Sequence, residues 1–455
     1  MYSLTPRRLV TLGLLIGSFL GSMEATVVAT AMPTIVGQLG GLSIYGWAFS
    51  IYVLASSAGI PITGKLSDMF GRRIVYAWSM AFFLVASLLC ALAPTMYWLI
   101  VFRGLQGLGA AGLLPVAIIM VGDMFSFTER ARIQAVFSAV WGVSSVAGPL
   151  FGGFLVDKIG WPAVFYVNIP FGMLSAWLVW HYWVDQHQLA TGDAYIDYPG
   201  AIAVSASAIV LLLALVDIVS WHGALLLLLA CGLAYIAYRI EKASPDPIIP
   251  LALFEWKLFS VAIVHSAVIG WLLNGVTAYV PLFVQEVQKG SATEAGAALT
   301  PLLFSWVTSS AVCAKVMLKT GYRQPAIAGM AAVCAGGALL TLLHAGSPHL
   351  LVMASMLVMG CGLGFTVPAI LIAVQSTVDR QRLGAATSMI QFSRAIGGSI
   401  GVGAMGALLN FEVGRTGFPT ALQRTFWVAA AVTVIGMFVT LSAPAISAEE
   451  MAKKR

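Results

Sequence analysis

Glu24 lies inside the apolar run from Leu9 to Val36, about three-fifths of the way along it. A carboxylic acid at that depth costs about 2.5–3.5 kcal/mol on insertion scales, so it marks a site that uses it. Of the 18 Asp and Glu residues, Glu24 is the only one deep within an apolar segment; the others fall in loops or at segment ends. Arg103 is the matching cation, a turn or more inside the segment VFRGLQGLGAAGLLP (Val101 to Pro115). Its permanently charged guanidinium needs an acceptor, and Glu24 is the deep acid available to it. The alternative is that Arg103 reaches the outer interface or is satisfied by backbone carbonyls. Gln106, one turn on, is either a polar relay or a packing amide. The chemistry open to these residues is the binding and release of a proton at Glu24, with Arg103 as the coupled charge.

Positioning such groups requires a membrane fold. The chain has 455 residues, 60% hydrophobic and 9% charged, with mean hydropathy +0.92, against roughly 25% charge in an ordinary soluble domain. Its apolar runs recur at a length of about 20 residues, which suits α-helices crossing a bilayer, and the alternating pattern of a membrane barrel is missing. The fold class is therefore an all-α polytopic membrane protein. Five cysteines, Cys90, Cys231, Cys313, Cys334 and Cys361, lie in or beside apolar runs and imply no disulfide framework. Arg7 and Arg8 precede a run too long for the core of a signal peptide, so that segment is expected to be retained. The basic residues are spread over short loops, which argues against nucleic acid as a partner. No Walker loop, dinucleotide loop, CxxC or HExxH spacing is present, so neither enzyme chemistry, a metal nor a cofactor is expected.

Spans are expected near 9–35, 44–64, 74–93, 98–121, 132–155, 163–184, 198–217, 222–240, 258–285, 294–316, 325–343, 350–373, 385–409 and 423–443. Loops on the N-terminal side of these fourteen hold eighteen of the 24 Lys and Arg residues and the opposite loops four. The positive-inside rule then puts both termini in the cytoplasm. A repeat appears at an offset of about 250: Lys65, Gly71 and Arg73 align with Lys315, Gly321 and Arg323, and Gly148 and Gly153 with Gly398 and Gly403. Gly107, Gly109 and Pro115 correspond to Gly360, Gly362 and Pro368. Repeats of this kind are common in secondary transporters. The expected division is a six-helix bundle in 1–190, two inserted spans in 191–257, and a second six-helix bundle with a short cytoplasmic tail in 258–455.

Four further motifs carry expectations. GKLSDMFGRR supplies a conformational latch from Gly64, Asp68, Gly71, Arg72 and Arg73: the glycines allow close approach, Asp68 caps a neighbouring helix, and the arginines pair with it or with lipid phosphates. Topogenic charge alone would need only the basic residues. Leu318 stands where the second copy would have its Asp, so the latch is expected to be asymmetric. GVSSVAGPLFGG gives a bent, close-packed gate helix through Gly148, Pro149, Gly152 and Gly153. Arg394 in the thirteenth span, with Gln391 one turn before it, either forms an interhelical strut, the favoured reading, or binds a chloride, a carbonyl or an anionic substrate group. Asn274 falls at the repeat position of Glu24, where an amide does not titrate. Tyr52, Gln106, Trp141, Trp271, Asn274, Gln391 and Arg394 form the expected substrate cavity. His265 is read as a hydrogen-bonded structural residue in preference to a second titrating group, and Glu286 and Glu412 as solvated helix-end acids.

Taken together these motifs resemble the major facilitator superfamily. GKLSDMFGRR looks like its signature loop, RGLQGLGAAGLLP like its fourth-span Arg motif and GPLFGG like the antiporter motif of its drug exporters. WPAVFYVNIPFG, YIDYPG and PDPIIPLALF are similar to segments of the fourteen-span drug:proton antiporter branch. The resemblance implies two bundles rocking about a central cavity in the cell membrane, and export of lipophilic, cationic or neutral compounds in exchange for protons. By the same resemblance Glu24 is the first-span acid, usually Asp, and Arg103 the fourth-span Arg, and Arg394 also matches. The implied partners are a lipophilic small molecule, protons and the bilayer, with a proton gradient in place of any cofactor. Export of an endogenous amphiphile is the main alternative on this fold, and a non-transporting receptor or scaffold the lesser one.

Overall fold

The computed structural model describes residues 5–41, 44, 47–184, 197–216, 221–245, 247, 249, 251–290, 292–379 and 382–446. They form fifteen α-helices: α1 Pro6–Leu39, α2 Trp47–Phe70, α3 Arg72–Ala91, α4 Met96–Met124, α5 Phe127–Lys158, α6 Ala163–Tyr166, α7 Asn168–Tyr182, α8 Tyr198–Val216, α9 Trp221–Ala243, α10 Lys257–Leu282, α11 Ala292–Thr320, α12 Arg323–Thr341, α13 His349–Thr377, α14 Leu383–Thr416 and α15 Phe418–Leu441. Among the described residues eleven helical segments are long and apolar enough to cross a membrane, and α6 with α7 make up one of them.

Local sequence accounts for the helix limits. Pro6 starts α1 at a position where a missing N–H costs nothing. Ser126 and Glu129 close a reciprocal capping box at the start of α5. Arg7 donates to the same Glu129 carboxylate at 2.7 Å, tying the start of α1 to α5. This bond and the Ser126 cap hold the Glu129 carboxyl down at about 2. A depressed acid of this kind supports the fold above its ordinary range near 4.5 and loses that support as pH falls toward 2.

The repeat is visible in the packing. Gly71 (φ 90°) and Gly321 (φ 74°) both take the left-handed conformation between consecutive helices, α2 to α3 and α11 to α12. A Cβ on Gly107 would stand 2.5 Å from the Tyr52 carbonyl of α2, and one on Gly109 2.5 Å from the Phe83 nitrogen of α3. Gly360 and Gly362 meet α11 and α12 in the same way, at 2.1 Å from the Leu302 carbonyl and 2.5 Å from the Gly329 carbonyl. Between helices already in lipid such backbone contact, and not the hydrophobic effect, supplies the attraction.

Helices α1 to α7 pack on one another, as do α10 to α15; the two groups meet where α2 lies along α14 and α5 along α11. Helices α8 and α9 pair with each other, and α8 also touches α2 and α14. The starts of α1 and α14 and the end of α15 share one end of the bundle, here the terminal end; the opposite end is the far end.

Candidate functional site

Helix α1 buries Glu24, leaving 2% of it exposed, and α4 buries Arg103, leaving 1%. Arg103 Nη1 donates to Glu24 Oε1 at 2.5 Å. Asn168 Nδ2, on the first residue of α7, donates to Glu24 Oε2 at 2.9 Å and lies 2.9 Å from Ser87 Oγ of α3. Both carboxylate oxygens therefore have donors, which is what a buried carboxylate requires. Arg103 is also held without Glu24: Nη1 donates to Gln106 Oε1 at 2.7 Å, Nε donates to the Ala48 carbonyl at 3.1 Å, and the guanidinium carbon lies 4.2 Å from the centre of the Tyr52 ring. Gln106 in turn donates to Ser87 Oγ at 3.3 Å, and Ser87 to the Phe165 carbonyl at 3.0 Å. Should Glu24 take up a proton, Arg103 keeps three partners.

The cluster sits toward the far end. Ser87 lies close to the C-terminal end of α3, and Asn168 begins α7. A helix rises about 1.5 Å per residue, so the 34 residues of α1 are longer than a bilayer core needs.

Breaking one side of a buried ion pair costs about 3–5 kcal/mol, because the other charge is left uncompensated. Arg103→Met is therefore expected to lower the midpoint of thermal unfolding in detergent, and the double variant Glu24→Gln/Arg103→Met to recover most of the loss. A loss in the double variant equal to the sum of the losses in Glu24→Gln and Arg103→Met would show that the two charges do not interact.

A second constellation joins the two groups of helices at the terminal end. Asp68 Oδ1 accepts from the Gly384 N–H at 3.1 Å and Oδ2 from the Ala385 N–H at 2.8 Å, so Asp68 of α2 caps the N-terminus of α14. Arg72 Nη1 holds Asp68 Oδ1 at 2.5 Å, and its Nε donates to Asp123 Oδ2 at 3.0 Å. Gly64 faces Ser388 of α14 so closely that a Cβ would stand 1.8 Å from its hydroxyl oxygen. Gly64, Asp68 and Arg72 therefore meet at this contact, and Gly71 turns the chain from α2 into α3. Arg73 does not pair with Asp68: its guanidinium lies 4.8 Å from the ring centre of the exposed Trp180 on α7. Leu318, the basis for expecting asymmetry, lies outside the described side chains.

Of the remaining expected residues, Trp271, Asn274, Gln391 and Arg394 lie where α10 meets α14, apart from Tyr52, Gln106 and Trp141. Tyr52 and Gln106 belong to the Glu24 cluster and are buried in it, so neither is a free cavity wall. Trp141 is exposed on α5. Trp271 packs against Gly401, and the Asn274 amide fills the space beside Gly398. Arg394 and Gln391 share a face of α14, yet the strut is not formed: Arg394 has no hydrogen bond or ion pair among the described residues, and its buried Nε lacks an acceptor. Gly148 and Gly152 are buried, but a Cβ on Gly153 would meet nothing within 4 Å, so tight packing does not account for that glycine. The Pro149 side chain lies outside the described ones. His265 is buried between Thr440 (3.0 Å) and Thr366 (3.2 Å), as a structural residue would be. Glu286 is exposed beside Lys289, whereas Glu412 is half-buried against Arg424 instead of solvated. Asn168, Ser87 and Asp123 are functional neighbours that the sequence reading misses. Asn168 carries a signal, an amide within an apolar segment.

The family model described as Major Facilitator Superfamily matches residues 14–402. The Multidrug transporter protein MdtP of Bacillus subtilis is 36% identical over 417 residues, covering 90% of this chain and 76% of that relative. Multidrug resistance protein 3 of the same organism is 34% identical over 407 residues, covering 88% and 79%. Among solved structures, the proton:xylose symporter XylE superposes with a TM-score of 0.70 over 98% of both chains at 14% identity, a likeness of fold alone.

Proposed function

The chain belongs to the major facilitator superfamily, as a multi-pass membrane transporter and not an enzyme, and from that premise we propose that it exports lipophilic cationic or neutral compounds in exchange for protons. Its relatives named for multidrug transport and multidrug resistance support the breadth of cargo. The observation that carries the coupling is the buried Glu24–Arg103 pair, in which the acid has two donors and the base keeps three other partners. In this reading the chain has fourteen spans and belongs to the fourteen-span branch. Residues 1–190 and 258–455 are the rocking bundles, and both termini lie in the cytoplasm of a cell whose surface membrane holds the protein.

The cycle follows from the site. With the latch closed on the cytoplasmic side, Glu24 takes a proton from outside, Arg103 rests on Gln106, the Ala48 carbonyl and the Tyr52 ring, and the cargo departs. Opening of the Asp68–α14 contact then exposes Glu24 to the cytoplasm. There the proton leaves, Arg103 returns to the carboxylate, and new cargo enters between the bundles along the α5 gate. One charge crossing 100 mV is worth ~2.3 kcal/mol, enough for a roughly fifty-fold gradient of a neutral cargo.

Reconstitution in proteoliposomes tests the reading. With an imposed pH gradient, a panel of lipophilic cations and neutral amphiphiles is expected to include compounds whose addition dissipates the gradient, in protein-containing vesicles only. A panel in which no compound moves protons, while radiolabelled members still cross, would overturn proton exchange.

A further inference from the structure

Arg394 is a cation without a counterpart. Its guanidinium is half-buried within α14, its Nε is shielded and unpartnered, and no described acid lies within ion-pair distance. One turn earlier Gln391 is 7% exposed and its Oε1 also lacks a partner. One turn later is Gly398, whose missing side chain leaves room for the Asn274 amide; a Cβ there would stand 2.0 Å from Asn274 Nδ2. At about 100° per residue Thr387, Gln391, Arg394 and Gly398 share one face of α14. Gln375 of α13 donates to Thr387 at 3.3 Å, so that face looks into the bundle and not toward lipid. Gly384 and Ser388 lie against Asp68 and Gly64 of α2, and Gly397 and Gly398 both lie against α10.

This place is distinct from the Glu24 cluster. Ser388 is level with Gly64, and Arg394 is six residues farther toward the far end, about 9 Å by helix rise. Arg103 contacts Tyr52 and Ala48, which lie about 18–24 Å from Gly64 along α2. The two cations are therefore separated by about 10–15 Å along the bundle. A half-buried guanidinium whose Nε is shielded without an acceptor carries a cost, and an anion that meets it with amides on either side removes that cost.

We propose that Arg394, flanked by Gln391 and Asn274, is the binding site for the anionic group of an amphiphilic cargo: a carboxylate, sulfonate or phosphate. The word cargo rests on the export reading above; the site itself does not. It extends the accepted compounds beyond cations and neutral molecules to amphiphiles with an acidic head. The amide of Gln391 is reversible about its last torsion, so it can present N–H groups to such an anion.

Two probes sharing one skeleton test this, 8-anilinonaphthalene-1-sulfonate and N-phenyl-1-naphthylamine, which lacks the sulfonate. Their fluorescence is titrated against purified protein in phosphatidylcholine nanodiscs, with empty discs subtracted. Wild type is expected to bind the sulfonate, Arg394→Gln to lose its affinity at least tenfold, and Arg394→Lys to retain part of it. The neutral probe should bind all three alike. Thermal unfolding is measured on the same samples and is expected to be unchanged or raised in Arg394→Gln, since an unpaired charge has been removed. Equal effects on both probes, or destabilisation with no change in sulfonate affinity, would overturn the site in favour of a structural arginine. Repeating the titration in discs doped with phosphatidylglycerol separates cargo from lipid: displacement of the sulfonate would assign the site to lipid headgroups and overturn the cargo proposal. Binding is read without transport, so a failure of proton exchange in vesicles leaves this result standing, and the reverse also holds.

Discussion

Glu24→Gln is expected to collapse the accumulation that a pH gradient drives, from the roughly fifty-fold ratio one proton sustains at ~100 mV to no gradient at all. The substitution keeps the shape of the side chain. Its amide oxygen still accepts from Arg103 Nη1, and a turned Asn168 amide still bonds its other end, so the helices α1, α4 and α7 remain joined. Arg103 retains Gln106, the Ala48 carbonyl and the Tyr52 ring, which limits the loss of stability. What disappears is the group that takes up and releases a proton. Downhill exchange of labelled for unlabelled cargo in proteoliposomes should therefore survive while uphill, proton-driven uptake is lost. Uphill transport equal to wild type in Glu24→Gln would remove Glu24 from the coupling role.

The second large effect is expected at the seam between α2 and α14. In Gly64→Ala the added Cβ would stand 1.8 Å from Ser388 Oγ, 2.5 Å from its Cβ and 2.9 Å from the Gly384 carbonyl. Ser388 Oγ already donates to that carbonyl at 2.6 Å, so it cannot turn aside without losing the bond. The two helices must part, and the Asp68 bonds to Gly384 and Ala385 lengthen with them. Only the closed arrangement is penalised, so the population shifts toward the open one; about 1.4 kcal/mol of differential destabilisation suffices for a tenfold change. Transport should fall about tenfold or more in a protein that still folds. A cysteine placed at Thr387, buried in the closed arrangement, should label faster with an impermeant maleimide from the terminal side, with the exposed Cys231 replaced by Ser. Unchanged labelling and transport would mean that the contact does not control access.

The two groups most exposed to physical penalty are legible in the sequence. An acid and a guanidinium in apolar segments must find partners, and with one deep acid the pairing of Glu24 with Arg103 follows. The repeat is equally legible, because Gly71 with Gly321, and Gly107 with Gly360, serve backbone geometry that no other residue tolerates at those contacts. That the chain is built of long apolar helices is legible as well, because the length of an apolar run is a local property; among the described residues eleven segments are long and apolar enough to cross a membrane.

Partners across helices are not local, and the tertiary structure decides them. The sequence leads one to expect that Asp68 caps some helix; that it caps α14, 316 residues on, depends on how the two groups of helices dock. Asn168 reaches Glu24 because α7 begins beside α1 and α3, which its own segment does not encode. Arg73 carries the same charge as its neighbour Arg72, yet the turn at Gly71 sends one into the seam and the other onto Trp180. Arg394 reads as a strut because a buried charge should be paired; the packing places no described acid within its reach. Sequence determines which segments enter the membrane and which side chains cannot stay alone there, since both follow from transfer free energies. Which of several polar groups answers each of them is set by helix rotation and crossing, quantities fixed only when the whole bundle has packed.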